Sequence, residues 1–495
     1  MSSSKNNERE EVELAGRWLQ TCLAEHEQCK ARQASSASSF GASIPTRLIK
    51  ITSSGTNVES ICIVSRPESE SSVTAYLTLS HCWGGANIVK LKQENLVQFH
   101  KRIPPELLPK TFFDAIRITL LLGYEYLWID SLCIIQDSTE DWLQQSKVMG
   151  SVYRNSTLTI AAVGAKDSHG GCFLASRDMR SVSKLGWTGE LSLLKTNEME
   201  KEQPLHRRAW VLQEQCLSVR TLNFGIHEIS WDCIETRAST SEPVLQSNLY
   251  SISTKRCFED LLLSVSKHLW ILYWWQLVHN YTNRKATFST DRWEAIRGLA
   301  AEVERANGRT LLYGLWSDRI KFELLWETKG VGTQRLNIGA PSWSWLSVTG
   351  PVTLDMVWLS SHQPGIDATI HAPWFRSNSS STVEARPYLT VSALMAPITL
   401  TPIVPPGRGG RYNFTFSDSV LRYGGFNCRL DSEEESCNLY ALQLMRGSYD
   451  TTTGTKSHGL VVVPADERNI SWRRVGIYEA DAYEPFTKRY EIMLV

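Results

Sequence analysis

The stretch LPKTFFDAIRITLLLGYEYLWIDSLCIIQD, residues 108–137, decides the fold of this chain. Residues 104–123 begin with two prolines, continue with helically spaced apolar residues and end at Gly123, so they predict a helix. The segment YLWIDSLCII, residues 126–135, is an unbroken apolar run with β-branched side chains, which indicates a buried strand. A helix that leads directly into a buried strand predicts one repeat of an α/β fold.

The same alternation continues on both sides of this stretch. Residues 44–80 contain the short β-like runs RLIKI, ESICIVS and AYLTLS. Residues 140–153 have the pattern of a helix, and STLTIAAVGA, residues 156–165, has that of another buried strand. Residues 207–233 add one helix and two short strands. Because strands alternate with helices and are apolar throughout, we predict a parallel sheet with helices on both faces.

The outer parts of the chain differ from this core in composition. Residues 1–13 are polar and acidic and are predicted to be disordered, whereas residues 14–31 predict a helix. Residues 32–43 predict a Ser/Ala/Gly linker, and residues 174–206 an irregular or hairpin insertion. We divide the chain into residues 1–75 (N-terminal helix, linker and lead-in strands), 76–235 (α/β core), 236–350 (helical extension) and 351–495 (β-rich region).

Charge and composition exclude several classes of protein. Lys plus Arg and Asp plus Glu both number 52, and without a basic run we predict no nucleic-acid partner. The N-terminus has no apolar core of an export signal. The most apolar window, residues 261–280, contains Lys267, His268 and His279, so we predict no membrane span. Eleven cysteines without a spacing framework predict reduced thiols and a cytoplasmic location.

The candidate binding residues follow the predicted strands. In an open α/β sheet, ligands bind at the carboxyl ends of the strands, and these ends lie on the same side of the sheet. The residues that this rule nominates are Ser80, His81, Cys82, Trp83, Gly84 and Gly85 after the first strand, Asp130, Ser131 and Cys133 after the second, and Gly164 and Ala165 after the third.

A helix predicted at RRAWVLQE, residues 207–214, adds a carboxylate to this edge. Trp210 and Glu214 are four residues apart and share one helix face. A carboxylate beside a large aromatic ring suits a cationic ring or a sugar. The alternative is an amphipathic helix in which Trp210 belongs to the core and Glu214 pairs with Arg208 or Arg220.

Other candidate sites remain open in the sequence. His81 and Cys82 could form a nucleophilic pair oriented by Asp130, although adjacent residues of a strand point to opposite faces. Asp130 and Asp137 could form an acid or metal pair, but a cap of the following helix by Asp137 fits its position better.

A helix face near the N-terminus has metal-ligand spacing. Cys22, His26 and Cys29 lie at positions i, i+4 and i+7 and could supply three zinc ligands. No fourth ligand is visible nearby, and a cysteine on a helix face is often a small buried hydrophobe. We therefore predict no metal site, and the question of metal at these three residues stays open.

Several blocks together resemble the heterokaryon incompatibility (HET) domain of filamentous fungi. They are YLTLSHCWGG at 76–85, the stretch 108–137, STLTIAAVGAKDSHGGCF at 156–173 and the block that begins at Arg207. Similar lead-in and follow-on segments extend the resemblance over residues 18–350. It implies non-self recognition between fungal cells and regulated cell death, through self-association or through an incompatibility partner protein.

The HET domain has in turn been proposed to be related to the TIR domain. YLTLSHCWGG is similar to the first strand and loop of TIR sheets, and RAWVLQE has the Trp-to-Glu spacing of enzymatic TIR domains. Some TIR domains cleave the nicotinamide–ribose bond of NAD. The resemblance thus implies a TIR-like fold and NAD as substrate. Glu214 and Asp130 would be the catalytic residues, and Ser80–Gly85, Arg208 and Trp210 would bind the substrate.

Two other functions remain open. The first is a non-enzymatic signalling or self-assembly module in which Glu214 is structural. The second is a small-molecule tailoring enzyme of secondary metabolism that uses His81, Cys82 or Asp130 in an aromatic pocket. No cofactor is expected to be bound permanently in any of these cases.

Overall fold

The structure, a computed structural model, forms two compact units. They comprise residues 1–260, 284–286 and 294–301, and residues 261–283, 287–293 and 302–495. The residues that the structure describes are 2–39, 45–55, 57–65, 75–85, 88–174, 203–247, 253–263, 270–329, 333–355, 365–366, 368–372, 387–402, 411–416, 427–431, 438–447, 456–481, 486 and 488–495.

The first unit contains the predicted alternation of strands and helices. Its elements are α1 (Ser2–Glu25), α2 (Glu27–Ser39), β1 (Arg47–Ser54), β2 (Asn57–Ser65), β3 (Leu77–Ser80), α3 (Leu96–Lys101), α4 (Lys110–Leu121), β4 (Tyr126–Ile129), α5 (Asp130–Cys133), α6 (Thr139–Asn155), β5 (Leu158–Ala161), α7 (Ala209–Leu217), β6 (Arg220–Phe224), β7 (Ile229–Cys233), β8 (Thr236–Ser239), β9 (Gln246–Ser247) and most of α8 (Thr254–Leu263).

One nine-stranded sheet organises this unit, in the order β2-β1-β4-β3-β5-β6-β7-β8-β9. The four central strands, β4, β3, β5 and β6, are parallel to one another. The remaining pairings are antiparallel, so the predicted parallel strands form the centre of a mixed sheet. Short connections explain the difference, because a link such as that from Phe224 to Ile229 allows only antiparallel neighbours.

The order of the four parallel strands determines where a ligand could bind. If these four strands are numbered 1 to 4 along the chain, their order across the sheet is 2-1-3-4, which is the strand order of flavodoxin-like sheets. The order reverses between β3 and β5, and this reversal opens a crevice at their carboxyl ends. Ser80 and Ala161 are the last residues of these two strands.

Apolar burial explains both the predicted strands and one helix start that was not predicted. Central strand residues such as Leu77, Ile129 and Ile160 are fully buried, as the continuous apolar runs predict. Helix α1 begins at Ser2, so the prediction of disorder over residues 1–13 is wrong; buried Val12 continues its apolar face toward the N-terminus.

Two further boundaries differ from the prediction. Helix α2 reaches Ser39 and includes much of the predicted linker 32–43, whose Ala and Gln residues are compatible with a helix. Strand β4 ends at Ile129, and Asp130–Cys133 form one helical turn instead of a strand. The predicted insertion at residues 174–206 lies outside the described residues, except Leu174 and residues 203–206.

The second unit combines helices with a β-rich region. Its described elements are α9 (Trp270–Thr282), the end of α10 (Glu294–Asn307), β10 (Leu311–Leu312), β11 (Leu315–Trp316), α11 (Ile320–Glu323), β12 (Glu327–Thr328), β13 (Val352–Thr353), β14 (Gly365–Ile366), β15 (Thr369–His371), β16 (Leu389–Pro402), β17 (Arg411–Phe416), β18 (Asn427–Leu430), β19 (Leu439–Gly447), β20 (Lys456–Pro464), β21 (Ser471–Asp481) and β22 (Arg489–Leu494).

Strands β14–β22 form a second nine-stranded sheet, in which the β21–β22 pair is the parallel one, so residues 351–495 are β-rich as predicted. Many of the 18 tryptophans are core residues of this unit: Trp270 and Trp274 both pack edge-on against Trp316. Among the described residues, no helix is long and apolar enough to cross a membrane.

Candidate functional site

The carboxyl end of β3 meets helix α7 at a buried pair of side chains. The hydroxyl of Ser80, the last residue of β3, donates a hydrogen bond to the carboxylate of Glu214. Glu214 is 8% exposed and lies on the helix that leads into β6. The structure therefore brings together two residues that the sequence nominated independently, one from a strand end and one from the following helix.

Burial sets the electrostatics of this pair. Desolvation raises the pKa of Glu214 from 4.5 to about 7, partly opposed by the Arg208 guanidinium and by hydrogen bonds from Ser80 and Tyr153. The negative charge of Asp130 raises that pKa further. Glu214 is thus a carboxyl group whose charge state changes near neutral pH, a property that is frequent at functional sites.

Arg208 contributes its charge rather than a direct bond to Glu214. Its guanidinium donates to the backbone carbonyl of His81. Arg220 donates instead to Cys22, Gln33 and Thr157. Within the described part of the chain, Glu214 forms no ion pair with Arg208 or Arg220, so the alternative of a simple structural ion pair is not observed.

Asp130 begins immediately after β4 and orients a tryptophan. Its carboxylate accepts a hydrogen bond from the indole of Trp83 at 2.8 Å and another from the backbone N–H of Ser131 at 2.7 Å. The Lys90 ammonium lies 5.2 Å from the centre of the Trp83 ring, a cation–π contact. Trp83 is therefore held at the strand end, but its ring already has a cationic neighbour.

His81 and Cys82 diverge, as the alternation of an extended chain requires. His81 is buried with its ring edge-on to Phe112 at 4.9 Å, and its Nδ1 lies 3.9 Å from Asp130 Oδ1. Desolvation lowers the pKa of His81 to about 4. Cys82 packs with apolar residues including Val163, and burial raises the pKa of its thiol to about 11. This arrangement does not favour a Cys–His nucleophile.

The remaining nominated residues take separate positions. Gly84 has a positive φ of 70°, and a Cβ there would lie 2.4 Å from the Cβ of Asp167. Gly85 is exposed, and a Cβ there would have no heavy atom within 4 Å. Trp210 is half-buried and packs against the main hydrophobic core of the unit.

The prediction that Asp137 caps the next helix is wrong. Ser138 is the N-cap of α6, and its hydroxyl accepts from the backbone N–H of Asp141 at 3.2 Å. Asp137 instead accepts from the backbone N–H of Gln93 at 3.0 Å. Aspartate and serine are both favoured N-cap residues, so the sequence could not decide between Asp137 and Ser138. The geometry of the loop decides it.

A small recess, with room for about one water molecule, adjoins the Ser80–Glu214 pair. Its lining residues include Ser80, Ala161, Val163, Leu205, Glu214 and Asn223. It lies at the carboxyl ends of β3 and β5, the crevice that the strand order predicts. Typical ligand sites enclose roughly 300–1,000 Å³, far more than one water molecule occupies, so a nucleotide requires a much wider opening.

Sequence reasoning missed Tyr153. Its hydroxyl bonds to Glu214 and lies 3.3 Å from the carbonyl oxygen of Leu79. Tyr153 comes from the C-terminal part of α6, which is not a strand end, so the strand-end rule could not nominate it. The pattern of residues 140–153 predicted a helix but nominated no site residue on it.

The fold and this edge define a class of protein: an α/β unit that holds one buried carboxylate at the carboxyl ends of its parallel strands. The family model of the heterokaryon incompatibility protein (HET) matches residues 76–214. The match thus begins just before β3 and ends at Glu214 itself, so these residues are similar to a HET domain. No curated protein and no solved structure matches the chain significantly.

Proposed function

We propose that this protein acts in heterokaryon incompatibility and that Glu214 is the catalytic carboxylate of an NAD-cleaving site. The observation that carries the proposal is the position of Glu214. It is a buried carboxylate at the switch point of the sheet, it faces a recess, and its pKa lies near neutrality. The HET match supports the biological role.

The chemistry needs few protein groups. Glycosidases generally use two carboxyl groups, because one must protonate the leaving group. The nicotinamide of NAD is already cationic and leaves as a neutral ring when the C1′–N bond breaks and its electron pair stays on the ring nitrogen. Water then bonds to C1′ and releases a proton. One ionised carboxylate that binds the ribose hydroxyls can stabilise the positive charge that develops on the sugar.

The neighbours of Glu214 suit this role. Ser80 already donates a hydroxyl hydrogen to the carboxylate, so a ribose hydroxyl can replace it with the same bonding pattern. The charge of Arg208 favours the ionised form of Glu214. Because the recess is too small for NAD, the site must rearrange before it can act. We propose that self-association causes this rearrangement. Depletion of NAD would then connect the site to regulated cell death.

The rival function is a non-enzymatic signalling module in which Glu214 only stabilises the fold. The small volume of the recess and the cation already placed on Trp83 favour this rival. The two functions differ in one measurable respect, because only an enzyme requires the negative charge of Glu214.

The test is NAD consumption by the purified full chain, alone and when clustered by a fused oligomerisation tag. We expect wild type to release nicotinamide and Glu214→Gln to lose activity by a factor of order 10²–10³, as when one group that stabilises the transition-state charge is removed. The matched control is Glu140→Gln, the same change at an exposed carboxylate on α6, which should keep full activity.

Absence of turnover by clustered wild type would contradict the enzymatic part of the proposal. Equal activity of wild type and a folded Glu214→Gln variant would remove Glu214 from the catalytic role. A toxicity assay in fused fungal cells separates the rival, because toxicity that survives Glu214→Gln requires no NAD chemistry.

A further inference from the structure

Four potential metal ligands converge on one buried point of the first unit. They are Cys22, His26, Cys29 and Cys233, whose ligand atoms all lie within 4.8 Å of one another. His26 is 7% exposed, and the three cysteines are fully buried. We call these four residues the Cys₃His cluster.

The backbone explains how three of the four residues come to one place. Helix α1 ends at Glu25 and α2 begins at Glu27, so His26 stands at the junction between them. Backbone hydrogen bonds from His26 to Cys22 (3.3 Å) and from Lys30 to His26 (3.1 Å) carry the helical spacing across this junction. Residues 22, 26 and 29 therefore share one face.

The sheet supplies the fourth residue. Cys233 is the last residue of β7, and its Sγ lies 3.4 Å from Nδ1 of His26. For zinc with Zn–S near 2.3 Å and Zn–N near 2.0–2.1 Å, tetrahedral geometry separates an S and an N ligand by about 3.6 Å. The observed distance of 3.4 Å between sulfur and nitrogen is close to this value. All four ligand atoms are near enough to one another to bind one ion.

We propose that the Cys₃His cluster binds a single zinc ion with four protein ligands. A closed set of four ligands leaves no position for water, so the ion is structural rather than catalytic. It ties α1 and α2 to the end of β7, across more than 200 residues of sequence. This site is separate from the chemistry proposed for Glu214.

The surroundings provide charge compensation for such an ion. Zinc with three thiolates and a neutral imidazole carries a net charge of −1. Arg220 is 1% exposed, and its Nε–H donates to Cys22 Sγ at 3.1 Å. In the described residues, Arg220 has no carboxylate partner, so a thiolate at Cys22 gives this buried cation its counter-charge.

The sulfur of Cys233 accepts a hydrogen bond from a backbone amide. The N–H of Thr236 donates to Cys233 Sγ at 3.3 Å, and the Thr236 hydroxyl lies at the same distance from that sulfur. Such contacts to the ligands are a general feature of metal sites, because they orient the ligands and stabilise their charge. The alternative, a disulfide, would use two of the sulfurs and leave His26 unexplained.

The first experiment is metal analysis of the full chain purified under reducing conditions without chelator. We expect about one zinc per chain. After removal of zinc, Co²⁺ should produce the visible bands of a tetrahedral ion together with thiolate charge-transfer absorption. Cys29→Ser and Cys233→Ser should lose stoichiometric zinc.

Two matched variants make the assignment specific. Cys428→Ser changes an equally buried thiol of the second unit and should keep the zinc. His26→Cys should also keep it, because four thiolates bind zinc tetrahedrally, whereas His26→Ala should weaken binding.

Wild-type protein that contains no zinc and takes up neither Zn²⁺ nor Co²⁺ would overturn the proposal, as would a disulfide found by mass spectrometry in freshly prepared protein. Should the serine variants fail to fold, the Co²⁺ spectrum of the wild type decides by itself, because thiolate charge transfer requires cysteine ligands.

Discussion

At the residue scale, Glu214 is a carboxyl group that the fold holds at an energetic cost. Its pKa is raised to about 7, because burial disfavours its charged form more than Arg208 and its hydroxyl donors favour it. Both direct donors, Ser80 and Tyr153, are hydroxyls, which can turn and accept a hydrogen bond instead. A neutral amide at this position can therefore keep the hydrogen bonds without the charge.

Glu323 of the second unit shows the contrasting case. Its pKa is raised to about 8 by burial, but its carboxylate accepts from the indole of Trp275 and the backbone N–H of Trp316. These groups can only donate, so an amide nitrogen at residue 323 would face a donor. The hydrogen bonds at Glu323 are those of a structural carboxylate.

The raised pKa of Glu214 predicts a pH-dependent stability difference. Between pH 4.5 and about 7 the folded state binds more protons at this residue than the unfolded state, so its contribution to stability falls as pH rises. The full difference corresponds to about 3 kcal/mol above pH 7. We expect Glu214→Gln to be more stable than wild type at pH 8 by up to this amount, and the difference to vanish near pH 4.

Urea unfolding of both proteins across this pH range, followed by a probe in the first unit, measures the difference. The other titrating groups are the same in both proteins, so their contributions cancel in the difference between the two unfolding free energies. A Glu214→Gln variant that is less stable than wild type at pH 8 would show that the carboxylate stabilises the fold, as the signalling rival holds.

At the element scale, the turn that leaves β3 depends on one glycine. Gly84 adopts a left-handed φ of 70°, which costs a residue with a side chain about 1–2 kcal/mol. A Cβ at Gly84 would also lie within 2.4 Å of the Cβ of Asp167, a part of the side chain that cannot move without its backbone. The two glycines of this loop therefore have different requirements, although the sequence shows them as a simple pair.

Gly84→Ala is expected to destabilise the first unit by about 1–3 kcal/mol, because the left-handed backbone and the Asp167 contact both oppose a Cβ. Gly85→Ala is the matched control. It has open space and should change stability by less than about 0.5 kcal/mol. Thermal unfolding of the two variants checks this; equal midpoints would mean that the turn rearranges freely.

Element types were predictable where one pattern dominated. Helix α7 and strands β6 and β7 occur where residues 207–233 predicted them, because RRAWVLQE has no helix breaker and the two following runs are short and β-like. The end of β4 was not predictable. Asp130–Cys133 lie inside an apolar run that favours a strand, but the backbone bond from Ile134 to Asp130 and the bonds of the Asp130 carboxylate with Ser131 and Trp83 hold them in a helical turn.

At the scale of the whole molecule, polar contacts between distant residues help to join the N-terminal helices to the rest of the first unit. The indole of Trp18 donates to the carbonyl of Pro243 at 2.8 Å, and the backbone N–H of Gln28 donates to Glu235 at 2.6 Å. The Cys₃His cluster lies close to both contacts in sequence. Zinc, if bound there, would contribute strongly to this attachment.

Removal of zinc should therefore loosen α1 and α2 before the rest of the first unit. We expect limited proteolysis to cut near residues 2–39 much faster after treatment with a strong chelator, and added Zn²⁺ to restore protection. Cleavage sites mapped by mass spectrometry measure this. Unchanged protection after proven loss of zinc would show that packing alone holds the helices.

The sequence by itself determined the alternation of helices and strands, the strand-end positions of Ser80 and Asp130, and the helix that carries Glu214. These features are local, since periodicity and turn residues act over a few neighbours. It also showed Cys22, His26 and Cys29 on one helix face.

The tertiary structure alone decided which of these residues meet. The bond between Ser80 and Glu214 joins residues 134 positions apart, and Cys233 completes a cluster that begins at Cys22. The mixed character of the sheet likewise depended on pairing between distant strands. The physical reason is that strand order and packing arise from burial of the whole apolar surface, which no local pattern records.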